Sequence, residues 1–173
     1  MPGLGGDFYR LLIVSEPENS ENDEGSLAGV TVAGSLQEVM EAPPTVYELV
    51  GGQSFFDDLV NRFYDAVEAD PVLRPLYPGD LRPSRARLAG FLGQYWGGPP
   101  LYSQTRGHPR LRLRHMPFAI GWAEREAWMR HMTAALDAAR VANGSGRRLP
   151  TEIRALMFDY FDNAATFLVN RGD

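Results

Sequence analysis

The sequence predicts an all-α domain beginning near Thr45, and three observations carry that expectation. From Thr45 onward, apolar residues recur at three- and four-residue spacing almost without a break, the period of a helix with one buried face. Two-residue alternation, the mark of a half-buried strand, is confined to the short run LRLRH at Leu111–His115. Helix start and stop signals bracket each periodic run.

The first 44 residues stand apart. They hold eight Asp and Glu against a single arginine, a balance of −7, while the rest of the chain balances at +2. The segment SEPENSENDEGS, Ser15–Ser26, is acidic and free of aromatics, so it cannot bury enough surface to offset its ordering entropy and is expected to be disordered. The run APPT, Ala42–Thr45, reads as the hinge into the helical part. The expected organisation is an acidic, disordered extension over residues 1–44 and one helical domain over 45–173.

Within that domain, GGQSFFDDLVNRFYDAVEADP offers a capping box from Ser54 to Asp57 and a stripe of Phe56, Leu59, Phe63 and Val67, and Asp70-Pro71 stops it. The next helix starts on Pro83 near its first position. It stacks Leu88, Phe91, Leu92, Tyr95 and Trp96 before Gly97-Gly98-Pro99 ends it. A third repeats Trp128, Met132, Leu136 and Ala139. The last opens at Pro150 and repeats Ile153, Met157, Tyr160, Ala164 and Phe167. Four longer helices are therefore expected, with looser chain over 97–120.

Composition narrows the chemistry. The chain has 173 residues, 44% of them hydrophobic, enough for one real core. It has no cysteine, which excludes disulfides, thiolate zinc sites, iron–sulfur clusters and cysteine nucleophiles. The early apolar run Leu11–Val14 is too short for a signal or membrane segment, so a cytoplasmic protein with no membrane contact is expected. All 17 basic residues are arginine, which forks onto carboxylates or phosphates.

A loop of some twenty residues inside a compact helical domain usually has a task, and this one holds His115. His108, between a glycine and a proline, reads as a solvent-facing loop histidine or one that ties down backbone carbonyls. His131 lies at the edge of a helical stripe beside Arg130 and reads as amphipathic packing. His115 follows Arg110, Arg112 and Arg114 and precedes Met116, Phe118 and Ile120, so it stands at a seam between cations and an apolar wall. Taken alone, that setting suits a structural histidine and a metal ligand equally.

No Glu-x-x-His pair or His-x-x-x-His spacing offers a metal cage built from protein alone, and no nucleophile-elbow pattern or phosphate loop is present. One histidine, aromatics and nearby arginines suit a flat, apolar, dianionic cofactor that brings its own metal; haem has that chemistry. The rival reading is a small helical interaction or nucleic-acid-binding module with Arg106, Arg110, Arg112 and Arg114 as a phosphate patch. The overall acidity counts against nucleic acid.

The segments FYDAV…DPVLRPLYP, FLGQYWGGPPLYSQTRGHPRLRLRHMPFAIG and REAWMRHMTAALD resemble the group II truncated haemoglobins in order and spacing, from about Val46 to Asn170. The resemblance implies a truncated globin, a two-over-two helical sandwich around one haem b. His115 matches the proximal ligand of the iron. Tyr64, Tyr77 and Trp128 match the distal hydrogen-bond donors. Ser84 matches the gate position and Leu88 an apolar distal residue. Phe63, Phe91, Trp96, Leu111, Phe118 and Met132 match pocket wall, and Arg112, Arg114 and Tyr102 are candidates for the propionates. The implied function is reversible, high-affinity binding of O2, NO and CO, with NO dioxygenation or a peroxidase-like reaction as a redox extension. An unidentified reductase is the implied partner, and a monomer or homodimer the implied state. Several donors to a ligand that gathers negative charge imply slow O2 release, which argues against simple oxygen delivery. Met116 departs from the family pattern, which has a small residue there, and residues 1–44 have no counterpart in it.

Overall fold

A computed structural model describes residues 43–172. The disordered extension expected over residues 1–44 falls, but for Pro43 and Pro44, outside them. The described chain runs through α1 (Val46–Val50), α2 (Gln53–Ala69), a 3₁₀ turn (Arg74–Leu76), α3 (Arg82–Tyr95), α4 (Leu101–Arg106), α5 (Leu111–His115), α6 (Trp122–Ala138) and α7 (Thr151–Leu168). Among the described residues no strand forms beyond a single bridge between Arg140 and Arg148, and no helix is long and apolar enough to cross a membrane.

The capping box lies elsewhere than the sequence suggested. Thr45 Oγ1 accepts from the Glu48 N–H at 3.2 Å and the Glu48 carboxylate accepts from the Thr45 N–H at 2.8 Å, which starts α1. Helix α2 begins one residue before Ser54, with Gly52 as its cap. Ser54 is therefore already inside the first turn, and its hydroxyl donates back to the Gly51 carbonyl at 3.2 Å. Gly51 itself has φ +96°, and a Cβ there would meet the Ala142 backbone at 2.6 Å, so glycine is required between α1 and α2.

Helix α2 buries Phe55, Phe56, Leu59, Val60, Phe63, Tyr64 and Val67 and forms the spine of the core. It packs on α3 and on α6, and α6 packs on α7. The pairs α2/α3 and α6/α7 thus stack two over two, as expected.

The stretch 97–120 is less loose than its sequence implies, because α4 and α5 both lie within it. Helices of five and six residues are too short to display a 3.6-residue period. They form because the chain around them is pinned. Gln94 donates to Ser103 Oγ at 2.6 Å and accepts from the Ser103 N–H at 2.9 Å, which fixes α4 to α3. Arg110, the cap of α5, takes φ +44°, and its N–H is received by His108 Nδ1 at 3.2 Å. His108 is exposed in its loop, one of the two settings the sequence offered; the backbone group it holds is an N–H and not a carbonyl.

Candidate functional site

A cavity of about 510 Å³ opens between α2, α3, α5, α6 and α7. Its volume lies within the ~300–1,000 Å³ range of cofactor and ligand pockets. His115 reaches it from the last residue of α5. Tyr64 comes from α2, Tyr77 from the segment after the 3₁₀ turn, Ser84, Leu88 and Phe91 from α3, Tyr102 from α4, Leu111 and Arg114 from α5, and Trp128 from α6. Phe118 closes the wall near α5. Phe63, Trp96 and Met132 do not line the cavity; they are buried in the core behind it, with Phe63 against Trp128 at 5.3 Å between ring centroids. Arg112 also lies outside it, with its guanidinium over the Phe167 ring at 5.1 Å. Of the arginines offered as a phosphate patch, Arg114 is likewise engaged, donating to the Pro109 and Arg106 carbonyls at 2.8 and 3.2 Å.

His115 Nδ1 lies 2.7 Å from the carbonyl oxygen of Leu111, one turn earlier in α5. A carbonyl only accepts, so Nδ1 carries the proton and donates. That bond fixes the neutral tautomer in which the Nε2 lone pair is free to ligate. The loop after His115 is held by a residue that helical periodicity does not mark. Asn170 Nδ2 donates to the Phe118 carbonyl at 2.9 Å and to the His115 carbonyl at 3.4 Å, and Asn170 Oδ1 accepts from the Ile120 N–H at 3.0 Å.

Two hydrogen-bonded chains end in tyrosines at the cavity. Arg87 donates to Ser84 Oγ at 2.9 Å, and Ser84 is bonded to the Tyr64 hydroxyl. The Trp128 indole, a donor only, gives its N–H to the Tyr77 oxygen. The two tyrosine rings meet edge-on at 5.5 Å. Burial pushes the Tyr64 hydroxyl up to about 12. Burial, reinforced by Tyr64, raises Tyr77 further above the ordinary tyrosine value. Both therefore keep their protons, and remain donors, at any physiological pH.

The turn that delivers Tyr77 is anchored by a buried carboxylate. Asp70 accepts from the Val72 and Leu73 N–H groups at 2.8 and 2.9 Å, from His131 Nε2 at 2.6 Å and from Arg130 at 2.9 Å. The His131 hydrogen bond, with those backbone donors, holds the carboxyl far below its usual range. His131 is thus tied to a buried anion, a contact its place on the helix did not reveal. Arg87 and Arg125 also reach the cavity. Arg125 is neutralised by Asp162 and Glu126, whereas Arg87 and Arg114 have no carboxylate partner among the described residues.

This arrangement leaves one imidazole nitrogen with a free lone pair in an apolar slot, two unmatched guanidinium groups, and two hydroxyl donors. Residues 45–165 match the model of the bacterial-like globins. The chain belongs to that family. This globin is 38% identical over 125 residues to the group 2 truncated haemoglobin YjbI of Bacillus subtilis, a match that covers 72% of this chain and 88% of that protein. Its fold is similar to the crystal structure of the haemoglobin from Chloroflexus aurantiacus, a thermophilic phototrophic bacterium. That similarity has a TM-score of 0.68 and 50% identity, and it covers 74% of this chain and 99% of that one. It is also similar to the truncated oxygen-avid haemoglobin of Bacillus subtilis, with a TM-score of 0.65 and 38% identity over 73% of this chain and all of that one, 100%.

Proposed function

We propose that this globin holds one b-type haem in the cavity, with His115 Nε2 as the protein's ligand to the iron, and that it binds O2 and other diatomic gases tightly. The observation that carries the reading is the His115–Leu111 hydrogen bond, which leaves Nε2 the one imidazole nitrogen without a partner in an apolar cavity. Among the described residues no three His, Asp or Glu side chains gather to hold a metal. A metal at His115 must then arrive with its other ligands attached, which is what a metalloporphyrin does.

The wall residues fit such a group. Leu88, Phe91, Leu111 and Phe118 present apolar surface to a flat ring, and Arg114 and Arg87 offer unmatched positive charge for its carboxylates. Haem, when bound, supplies the iron centre at which a diatomic ligand is taken up. The chain supplies the rest. Tyr64 and Tyr77 bring buried O–H donors to a largely apolar cavity, where a hydrogen bond to a ligand that gathers negative charge is worth more than in bulk. Ser84, itself bonded by Arg87, and Trp128 each hold one tyrosine oxygen, which orients the hydroxyl hydrogen away from that contact. The name oxygen-avid, carried by a similar haemoglobin, agrees with that donor set. The same donors suit redox chemistry on the ligand, NO dioxygenation or a peroxidase-like reaction, as a second activity that needs an electron donor.

The test is the visible spectrum of the purified protein and of His115→Gly, each reduced and then exposed to CO. The reading expects a sharp Soret band that shifts with CO in the native protein and is lost or weakened in the variant. A colourless protein that also refuses added haemin overturns it.

A further inference from the structure

One face beside the cavity differs from the rest of the surface. Residues 81–123 contain seven arginines and not one Asp or Glu. Two of the seven are matched by acids from outside the stretch, Arg82 by Asp80 and Arg85 by Asp65, as Arg62 is by Asp58 and Arg154 by Asp137 on other elements. Among the described residues, Arg106, Arg110, Arg112 and Arg171 have no carboxylate partner. Arg112 and Arg171 flank an open concavity of about 450 Å³ whose apolar lining includes Met116, Phe118 and Leu168. Met116 is 64% exposed and Phe118 43% exposed. Phe118 and Leu168 also line the larger cavity, so the two hollows share these side chains as a common wall.

We propose that this face docks an acidic one-electron carrier protein that reduces the haem iron across the shared wall. The inference rests on the reading of the larger cavity as a haem site. Unmatched arginines around a small apolar centre are what a transient, electrostatically steered encounter uses; electron-transfer complexes sit at the small end of interface sizes. The position makes the partner a redox one: a protein seated against Met116 and Phe118 is separated from the cofactor's slot by side chains that belong to both hollows. A second copy of the same face would set arginine against arginine, which disfavours a symmetric dimer here. In the step, one electron leaves the carrier's reduced iron–sulfur cluster, which is oxidised, and ferric iron becomes ferrous. No bond is made or broken and no proton moves.

The experiment uses the full chain loaded with haem, whose ferric and CO-ferrous spectra are recorded first; failure to form them overturns the haem reading and this inference together. Reduced plant-type [2Fe–2S] ferredoxin, an acidic carrier, is then mixed with the ferric protein under CO in a stopped-flow instrument at increasing ionic strength. Met116→Glu/Arg171→Glu is compared with Arg62→Glu, a reversal on α2 at a residue that does not line the concavity. The proposal expects the rate to fall about tenfold or more in the double variant at low salt and to lose its salt dependence there. Reduction by dithionite and the CO spectrum should stay as in the native protein, and Arg62→Glu should change little. Independently, amide shifts of the isotopically labelled protein, titrated with oxidised ferredoxin, should move around Arg112, Met116–Ala119 and Arg171. An unchanged rate in the double variant, an equal fall in Arg62→Glu, or shifts confined to another face overturns the proposal. So does a concentration-dependent shift at this face without ferredoxin, which would make a second copy its occupant.

Discussion

His131 Nε2 lies 2.6 Å from an Asp70 carboxylate oxygen, and this contact joins the end of α2 to the helix that carries Trp128. The other Asp70 oxygen receives the Val72 and Leu73 N–H groups, which start the turn toward Tyr77. One buried carboxylate therefore fixes both members of the Tyr77–Trp128 hydrogen bond: the turn through its backbone donors, the helix through His131 and Arg130.

Replacing Asp70 by Asn keeps the shape and removes the charge. Hydrogen bonds to a charged acceptor contribute about 1.5–3 kcal/mol each, and the buried donors would be left with a weaker partner. Asp70→Asn should lose about 2–4 kcal/mol at neutral pH, read as a lower urea midpoint with unchanged slope. The pH dependence has a definite sign. Because the folded carboxyl titrates well below its ordinary 3.8, its contribution is complete above that value and is lost as pH falls through the depressed one. The native protein should therefore weaken in acid more steeply than Asp70→Asn.

These clamps mark the limit of what the sequence makes legible. The four longer helices are visible because each buries a stripe long enough to impose its period, as Phe56, Leu59, Phe63 and Val67 do on α2. The cavity residues His115, Tyr64, Tyr77 and Trp128 stand out only through their family spacing; on periodicity alone Tyr64 and Trp128 read as packing. Asp70, His131 and Asn170 act between segments 50 to 61 positions apart, where no local pattern links them. Arg87 escaped for a different reason: on α3 a guanidinium turned inward cannot be told from one turned to solvent until the neighbouring helices are placed. Met116, which the sequence sets beside His115, is directed outward.

The Trp128–Tyr77 bond makes a kinetic prediction. If the indole acts through the tyrosine it holds, the effects of Tyr77→Phe and Trp128→Phe on O2 release will not add. Each single variant should speed O2 release by about 10- to 150-fold, the equivalent of one hydrogen bond to a charged acceptor. The double variant should differ from the product of the singles by about fivefold or more. Additive effects in a flash-photolysis or stopped-flow cycle would instead mean that the indole addresses the ligand on its own.

A second pH dependence lies at the alkaline end. Burial raises Tyr64 to about 12, so the folded chain keeps a proton that the unfolded chain loses near pH 10. For a raised value the stabilisation is complete below the unfolded value and is lost as pH climbs through the folded one. A tenfold difference in proton affinity between folded and unfolded chain is worth about 1.36 kcal/mol, and partial contact with solvent relieves some of it. Between pH 10 and 12 the native protein should therefore lose about 2 kcal/mol through this group. Tyr64→Phe should flatten that decline in urea titrations at pH 9, 10 and 11. An identical decline in the variant would assign the effect to other groups.

Asn170 offers the sharpest separation of fold from site. It lies two residues past the end of α7, yet its side chain holds three backbone groups of the loop from His115 to Ile120. Besides that side chain, the loop is tied by the Asn170 and Arg171 N–H groups, which both donate to the Ile120 carbonyl, while Met116 and Phe118 are exposed and Pro117 donates nothing. Asn170→Ala leaves the buried stripes of α2, α6 and α7 untouched, so the cooperative unfolding of the haem-free protein should change by no more than about 1 kcal/mol. The position of His115 depends on that loop more than the core does. Haem transfer from the ferric variant to an excess of apomyoglobin should accelerate by about tenfold or more, the equivalent of roughly 1.4 kcal/mol of lost ligand positioning. Equal haem-transfer rates in the two proteins would show that α5 and the Leu111 carbonyl alone hold the imidazole, and that Asn170 serves only to end the helix.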